Sequence, residues 1–145
     1  MQLVNETFQK FLSLLNSHDV EYLVIGGYAV NFYGYSRYTA DLDIWVNRTQ
    51  KNFTKLIDAL EQFGYKTDAL VAKDISKPLI FSLGEQPFCI EILSGVVGLQ
   101  FEEVYPRRNF LISEGIEIPF IHLNDLKVNK LLSGRHKDLD DLENL

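Results

Sequence analysis

Residues 40–46 constrain the fold most, because apolar and polar side chains alternate along them. The even-numbered positions are all apolar, whereas two of the odd-numbered positions are acids, Asp41 and Asp43. Successive side chains of a β-strand point to opposite faces of its sheet. The segment is therefore predicted to be a strand with one buried face and one face that carries two carboxylates. The alternative is a solvated strand face, but aspartate is disfavoured in strands, so the pair requires a reason.

Two carboxylates at this spacing predict a metal site. Their Cα atoms lie about 6.5 to 7 Å apart on a strand, so their oxygens can converge on one or two divalent ions. Hard oxygen ligands favour Mg²⁺ or Mn²⁺ over zinc. In phosphoryl transfer, two such ions about 3.5 to 4 Å apart stabilise the attacking and the leaving oxygen. Asp41 and Asp43 are thus candidate catalytic residues and metal ligands.

A glycine pair precedes the acidic segment. Residues 22–25 form a short apolar run that Gly26 and Gly27 stop, and residues 28–33 have room for one or two helical turns. Glycine has no Cβ and tolerates positive φ, so backbone amides at such a pair can approach a triphosphate closely. Gly26 and Gly27 are candidate nucleotide-binding residues, and the alternative is an ordinary turn.

Arg37 and Thr39 lie between the glycine pair and the acidic strand. A guanidinium at this place can neutralise phosphate charge, and a hydroxyl can donate a hydrogen bond to phosphate. Both residues are therefore candidate nucleotide-binding residues. The alternative for Arg37 is an ion pair with Asp41 or Asp43.

The rest of the chain contains segments typical of helices and hairpins. Two segments with apolar side chains at helical spacing predict amphipathic helices, residues 3–16 and 49–63. Two pairs of short apolar runs predict β-hairpins, residues 79–83 with 88–93 and residues 110–112 with 116–118. Two more helices are predicted near the carboxyl terminus, residues 124–132 and 137–145. Residues 95–106 favour no definite element.

The predicted strand at residues 88–93 contains one acid, Glu91, and the only cysteine of the chain, Cys89. A single cysteine excludes an intramolecular disulfide, and its apolar neighbours predict a buried structural thiol. Glu91 is a candidate third carboxylate, which would act as a general base or metal ligand. The alternative is a glutamate that faces water from an edge strand.

Composition places the chain among globular proteins. Its 145 residues and 46% hydrophobic content predict one domain, residues 1–145, with a proper core. A formal net charge of −6 argues against a surface that binds nucleic acid mainly by broad phosphate neutralisation. No segment resembles a signal peptide or approaches the ~18 apolar residues of a membrane helix. We therefore expect a cytoplasmic protein without membrane contact.

Two segments carry a resemblance to a known family, GGYAVNFYGYSRYTADLDIWV at residues 26–46 and LNDLKVNKLLSGRHKDLDDLENL at residues 123–145. They resemble the nucleotidyltransferase superfamily that includes DNA polymerase beta and the kanamycin nucleotidyltransferases. Within it they look most like the abortive-infection nucleotidyltransferase toxins and their uncharacterised bacterial relatives. Residues 65–120 match only weakly. The resemblance implies an α/β nucleotidyltransferase fold, with a short mixed sheet flanked by helices.

The resemblance also implies residue roles. Gly26 and Gly27 would cradle the triphosphate, and Asp41 and Asp43 would hold the metals. Glu91 would be the third carboxylate, where the family more often has aspartate.

A basic group lies near the last helices. In the resembling family a lysine at the position of Lys130 faces the nucleotide cleft, which makes Lys130 a candidate nucleotide-binding residue. Arg135 and Lys137 are weaker candidates, because cations near a helix carboxyl terminus also stabilise the helix dipole. The acids of the tail and His136 are predicted to form a solvated helix face without metal: Asp138, Asp140 and Asp141.

The implied activity is transfer of a nucleoside monophosphate from an NTP to a hydroxyl of a protein, an RNA or a small molecule. A role in a toxin–antitoxin or phage-defence system, with a partner protein, is part of the same resemblance. One alternative is a non-catalytic nucleotide-binding or antitoxin module that keeps the fold. Another is an aminoglycoside-modifying enzyme. An acidic cleft would favour that cationic acceptor, and a basic cleft would favour RNA.

Overall fold

The computed structural model describes residues 4–85 and 89–145. In these residues six strands form one mixed sheet in the order β3-β4-β2-β1-β6-β5. The strands are β1 (Tyr22–Ile25), β2 (Leu42–Val46), β3 (Ile80–Leu83), β4 (Ile90–Leu93), β5 (Asn109–Ser113) and β6 (Ile116–Phe120). The helices are α1 (Glu6–Ser17), α2 (Gly26–Phe32), α3 (Gln50–Phe63), α4 (Asp68–Val71), α5 (Phe101–Val104), α6 (Leu123–Ser133) and α7 (His136–Asn144), with a 3-10 turn at Tyr105–Arg107.

The predicted acidic strand is β2, and it lies inside the sheet. It pairs with β1 in antiparallel orientation and with β4 in parallel orientation. Both predicted hairpins are present, since β3 pairs with β4 and β5 pairs with β6 in antiparallel orientation. The predicted start of β4 at Phe88 and part of its turn lie outside the described residues.

The apolar side of β2 enters the main core, as the alternation predicts. Leu42, Ile44 and Val46 are fully buried in one cluster with apolar side chains of α1 and α3. Asn5 caps α1 by accepting a hydrogen bond from the Phe8 amide, and Gly64 ends α3 in the left-handed conformation. These helices cover the core because their apolar stripes repeat at helical spacing.

The other side of β2 is polar only in its first half. Trp45 follows Asp43 on that side, is 1% exposed, and packs edge-on against Phe101 with ring centroids 5.2 Å apart. Phe101 in turn stacks on Tyr105. The segment for which the sequence favours no element therefore forms α5 and the 3-10 turn, which cover this half of the face.

The terminal helix α7 corrects a sequence prediction. Asp138 and Asp141 were expected on a solvated face but are fully buried, whereas Leu139 is 43% exposed. The physical reason is charge pairing, because Asp138 and Asp141 each accept contacts from Lys130. Only Asp140 of the three acids is exposed, and it accepts a hydrogen bond from the Tyr35 hydroxyl.

No helix within residues 4–85 and 89–145 has both the length and the apolar character needed to cross a membrane.

The buried pairs make the stability of the fold sensitive to α7. Asp141→Asn is expected to destabilise the protein by about 3 kcal/mol or more, because losing one member of a buried ion pair leaves its partners uncompensated. Urea denaturation followed by circular dichroism measures the change. Glu143→Gln, at an exposed position of the same helix, is the matched control and should change stability by less than about 0.5 kcal/mol. Equal stability of the two variants would contradict the expectation.

Candidate active site

The pairing of β2 with β4 brings two predicted carboxylates together. Asp43 and Glu91 are directly opposite each other in the parallel ladder. Paired residues of neighbouring strands project from the same face, with backbones about 4.8 Å apart. Glu91 is not on an edge strand, because β3 lies outside β4. The structure therefore places Glu91 beside Asp43, in the position expected of a third carboxylate.

The glycine pair begins α2 and makes room for side chains of the site. Gly26 has φ +68°, and a Cβ there would lie 2.1 Å from Oδ2 of Asp43. A Cβ at Gly27 would lie 2.2 Å from Oγ1 of Thr39 and 3.4 Å from a guanidinium nitrogen of Arg37. A Cβ at either position would therefore displace the side chain of Asp43 or of Thr39, and at Gly26 the positive φ would add backbone strain. This steric requirement is not visible in the sequence.

Negative charge is concentrated at Asp43. Burial raises the pKa of its carboxyl group to about 7, and the carboxylates of Glu91 and Asp41 add to the rise. Lys137 and Lys130 act in the opposite direction. Within the described part of the chain, neither Asp43 nor Glu91 makes a hydrogen bond or an ion pair through its side chain. The site thus holds carboxylate charge that the protein itself leaves largely uncompensated.

This donor set fits a divalent cation. Carboxylate oxygens are the ligands that Mg²⁺ and Mn²⁺ prefer, and a cation would offset the repulsion that raises the pKa of Asp43. Among residues 4–85 and 89–145, however, no three acidic, histidine or cysteine side chains are grouped so that they could hold a metal ion. Asp41, Asp43 and Glu91 supply suitable oxygens in one pocket, but they are not gathered into a metal centre.

Cations line the same pocket, and aspartates of α7 pair with them. Arg37 forms a two-pronged ion pair with Asp141, with nitrogen–oxygen distances of 2.7 and 2.9 Å. This partner, Asp141, was not among the alternatives that the sequence suggested for Arg37. Lys130 lies 3.2 Å from Asp138 and 3.0 Å from Asp141.

Arg135 completes this group of cations. Its Nε donates to Asp138 at 2.7 Å, and its side chain remains 65% exposed. The three cations, Arg37, Lys130 and Arg135, pair with only two buried aspartates, Asp138 and Asp141. The group therefore has an excess of positive charge at the pocket.

One pocket of about 360 Å³ unites the predicted site. Its lining includes all eight candidate residues: Gly26, Gly27, Arg37, Thr39, Asp41, Asp43, Glu91 and Lys130. Arg135 and Lys137, the weaker candidates, also line it. The sequence analysis missed Tyr38, which is 83% exposed, and Asn129. Each is adjacent to a candidate in the sequence, and neither belongs to a pattern that would single it out.

A comparison with protein families identifies the kind of protein that contains this pocket. A family model described as "Nucleotidyltransferase of unknown function (DUF6036)" matches residues 3–145. The chain belongs to this family. It is therefore a nucleotidyltransferase, and the predicted superfamily is confirmed. No curated protein matches the chain.

Solved structures show the same fold at low sequence identity. A putative nucleotidyltransferase from Thermotoga maritima, TM1012, has a TM-score of 0.65 at 16% identity, covering 94% of this chain and 88% of its own. The lincomycin-bound lincosamide antibiotic adenylyltransferase LnuA has a TM-score of 0.59 at 18% identity, covering 99% and 97%. The antibiotic-resistance factor ANT(2'')-Ia has a TM-score of 0.59 at 9% identity, covering 94% and 79%. The predicted α/β nucleotidyltransferase fold is confirmed.

The raised pKa of Asp43 predicts a specific pH dependence of stability without metal. Its folded pKa of about 7 exceeds its ordinary value of 3.8, so the folded state binds more protons between these values. The free energy of unfolding should therefore fall as pH rises from about 4 to about 7.

Asp43→Asn should remove this fall. At pH 8 in EDTA we expect the variant to be more stable than wild type by at least about 1.4 kcal/mol, the worth of one pKa unit, and near pH 4 the two should agree. Urea denaturation across the pH series measures the difference, with the exposed Asp58→Asn as control. Parallel pH profiles of wild type and Asp43→Asn would contradict the assignment.

Proposed function

We propose that this nucleotidyltransferase transfers a nucleoside monophosphate from an NTP to a hydroxyl acceptor, with Mg²⁺ or Mn²⁺ held by Asp41, Asp43 and Glu91. The observation that carries the proposal is the pairing of Asp43 with Glu91 on one sheet face, in a pocket that cations near and on α6 and α7 also line.

The cations and the carboxylates of the pocket have different roles in binding an NTP. The triphosphate is the anionic part of the substrate, and it fits the cationic group of Arg37, Lys130 and Arg135. Gly26 and Gly27 begin α2 and line the same pocket, with Gly26 packed against Asp43 and Gly27 against Thr39. The carboxylates repel a free triphosphate, so binding beside them requires a cation between the two.

The chemistry follows from this arrangement. The acceptor oxygen forms a bond to the α-phosphorus, the bond from that phosphorus to the bridging oxygen breaks, and pyrophosphate leaves with the electron pair. Glu91 accepts the proton of the attacking hydroxyl, since it lies beside Asp43 on the reacting face. A divalent cation, when bound, would stabilise the negative charge on the phosphates. The protein supplies position and charge, which are the main sources of rate in phosphoryl transfer.

A non-catalytic nucleotide-binding module is the rival function. Such a module would require the pocket but not three carboxylates in it. Holding them there costs free energy, because burial above all, and then the charges of Glu91 and Asp41, raise the pKa of Asp43. Retention of Asp41, Asp43 and Glu91 in one pocket favours catalysis. A cytoplasmic toxin–antitoxin or phage-defence role, with a partner protein, rests on the family resemblance alone.

Metal-dependent NTP binding is the first test. Isothermal calorimetry should detect NTP binding in Mg²⁺ that EDTA abolishes, and Asp41→Asn/Asp43→Asn should lose at least tenfold in affinity because two hard oxygen ligands are removed. The exposed Asp58→Asn should bind like wild type. Equal metal-dependent affinity in wild type and the double variant would refute the assigned metal site.

The variant Glu91→Gln tests the role of Glu91 in catalysis separately from its effect on stability. Transfer should fall by on the order of a hundredfold or more, because a positioned proton acceptor is lost. Stability should be unchanged or higher, since repulsion with Asp43 is relieved. The assay uses each α-labelled NTP with Mg²⁺ and cell extract, and the labelled product identifies the base and the acceptor. Near-normal transfer by Glu91→Gln would remove this residue from the reaction.

A further inference from the structure

The strand β5 forms one edge of the sheet, where it pairs only with β6. Within residues 4–85 and 89–145, no group outside β6 forms a hydrogen bond with the backbone of Asn109–Ser113. The backbone N–H and C=O groups that point away from β6 therefore have no partner in the same chain. Such an edge is a template for pairing with another strand.

β5 lacks the features that usually protect an edge strand. Proteins place lysine, proline or a β-bulge on an edge, or cover it with a helix or loop. β5 contains neither lysine nor proline, and its residues pair one to one with β6. Phe110 and Ile112 give it two apolar side chains on one face, which are 47% and 72% exposed. This edge therefore presents apolar surface beside free backbone groups.

The opposite edge of the sheet, β3, is less suited to pairing. It has one large exposed apolar side chain, Ile80, and Lys77 and Pro78 lie shortly before it in the sequence. Its residues also line a cavity together with Ala69 and Leu70 of α4. Of the two edges, β5 is therefore the more open to another strand.

The sequence of β5 is complementary to itself in antiparallel orientation. A second copy of β5, paired so that Leu111 lies opposite Leu111, places Phe110 opposite Ile112 of the partner subunit. Two-fold symmetry makes this pair occur twice. Aromatic and β-branched side chains form favourable cross-strand pairs. The polar ends of the strand also match, since Asn109 lies opposite Ser113 of the partner subunit.

The charges that flank β5 are complementary in the same register. Arg108 precedes the strand and Glu114 follows it, so Arg108 falls opposite Glu114 of the partner subunit. Neither residue has an ion pair with the described residues of its own chain. Arg108 lies over the ring of Phe110, 4.9 Å from its centroid. Its Nη1 donates to the carbonyl oxygen of Tyr105, and its Nη2 has no hydrogen-bond partner among the described residues.

Electrostatic repulsion between two copies is weak at this edge. The whole chain has a formal net charge of −6, which opposes self-association over most of the surface. Residues 105–120, which contain β5 and β6, include two arginines and two glutamates, so their formal charge is zero. The β5 edge is therefore a place where identical surfaces can meet without like-charge repulsion.

We infer that two copies of this chain associate through β5, in antiparallel orientation centred on Leu111, and join their sheets into one. The partner is a second copy because the same strand supplies both members of every cross-strand pair. The inference does not depend on nucleotidyl transfer. β1 and β6 separate β5 from β2, and no residue of β5 lines the candidate active site.

Light scattering coupled to size-exclusion chromatography, over a range of protein concentrations, measures the association. Wild type is expected to reach twice the mass of one chain. Ile112→Lys should weaken the dimer by about tenfold or more, because a charge replaces the apolar member of both pairs. Ile80→Lys is the matched control, the same change at a position of the other edge strand that is 63% exposed. It should associate like wild type.

Disulfide cross-linking tests the register in a Cys89→Ser background. Leu111→Cys places two thiols on directly opposite residues, whose Cα atoms are about 4.5 to 5.5 Å apart, within the range of a disulfide. Asn109→Cys is the control, because the register separates its two copies by four residues, about 13 Å. Oxidation should cross-link Leu111→Cys at least about tenfold more than Asn109→Cys. Thermal melting checks that every variant is folded.

Three results would overturn the inference. They are a wild type that stays monomeric at all concentrations, equal association by Ile112→Lys and Ile80→Lys, and equal cross-linking by Leu111→Cys and Asn109→Cys. None of these results bears on the proposed transfer activity, which NTP calorimetry and the labelling assay test separately.

Discussion

The position of β2 between β1 and β4 is the constraint on which the site depends. Its backbone ladder sets Asp43 opposite Glu91 on one side and opposite Ile25, the residue before the glycine pair, on the other. Two acids held side by side repel each other, and burial raises the cost, as the pKa of Asp43 reflects. The apolar reverse side of β2 offsets this cost, because its side chains are completely buried in the core. Burial of the apolar face of β2 thus stabilises the fold enough to keep Asp43 and Glu91 close together on the other face.

The cationic group is tied to the fold in a different way. Lys130 is 3% exposed, and Asp138 and Asp141 are buried with it, so these charges contribute to stability only while all partners remain in place. Arg37 joins the same group from the segment before β2, and its fork matches the carboxylate of Asp141 in a bidentate pair. The packing of α7 therefore orients cationic side chains that line the pocket. Stability of the terminal helix and geometry of this pocket are linked through the same ion pairs.

The sequence predicted the parts of this structure that depend on local periodicity. Alternation over residues 40–46 located β2, and helical spacing located α1 and α3. Glu91 could be singled out because it interrupts an apolar run. The acids of α7 were misassigned because their burial depends on tertiary contacts, in which Asp138 and Asp141 meet Lys130 of α6 and Asp141 also meets Arg37. Arg37 and Asp141, for example, are 104 residues apart. No local sequence pattern indicates such a pairing. The leucines of α7, at helical spacing, suggested instead that the other face of this helix is buried. The steric fit of Gly26 against Asp43 likewise depends on two strands meeting, which only the structure shows.

One strand carries both polar and apolar side chains on the face that bears Asp43. Asp43 and Trp45 occupy successive same-side positions of β2, so the carboxylate and the indole are placed by a single register, and Asp41 lies one residue before the strand. A shift of one residue in β2 would turn Asp43 toward the core and take Leu42, Ile44 and Val46 out of it, which makes the register strongly specified. The same register pairs Asp43 with Glu91 and Trp45 with Leu93. The separation of Asp43 and Glu91 is thus a property of the β-ladder rather than of a flexible loop, because both backbones are held by the hydrogen bonds of adjacent strands.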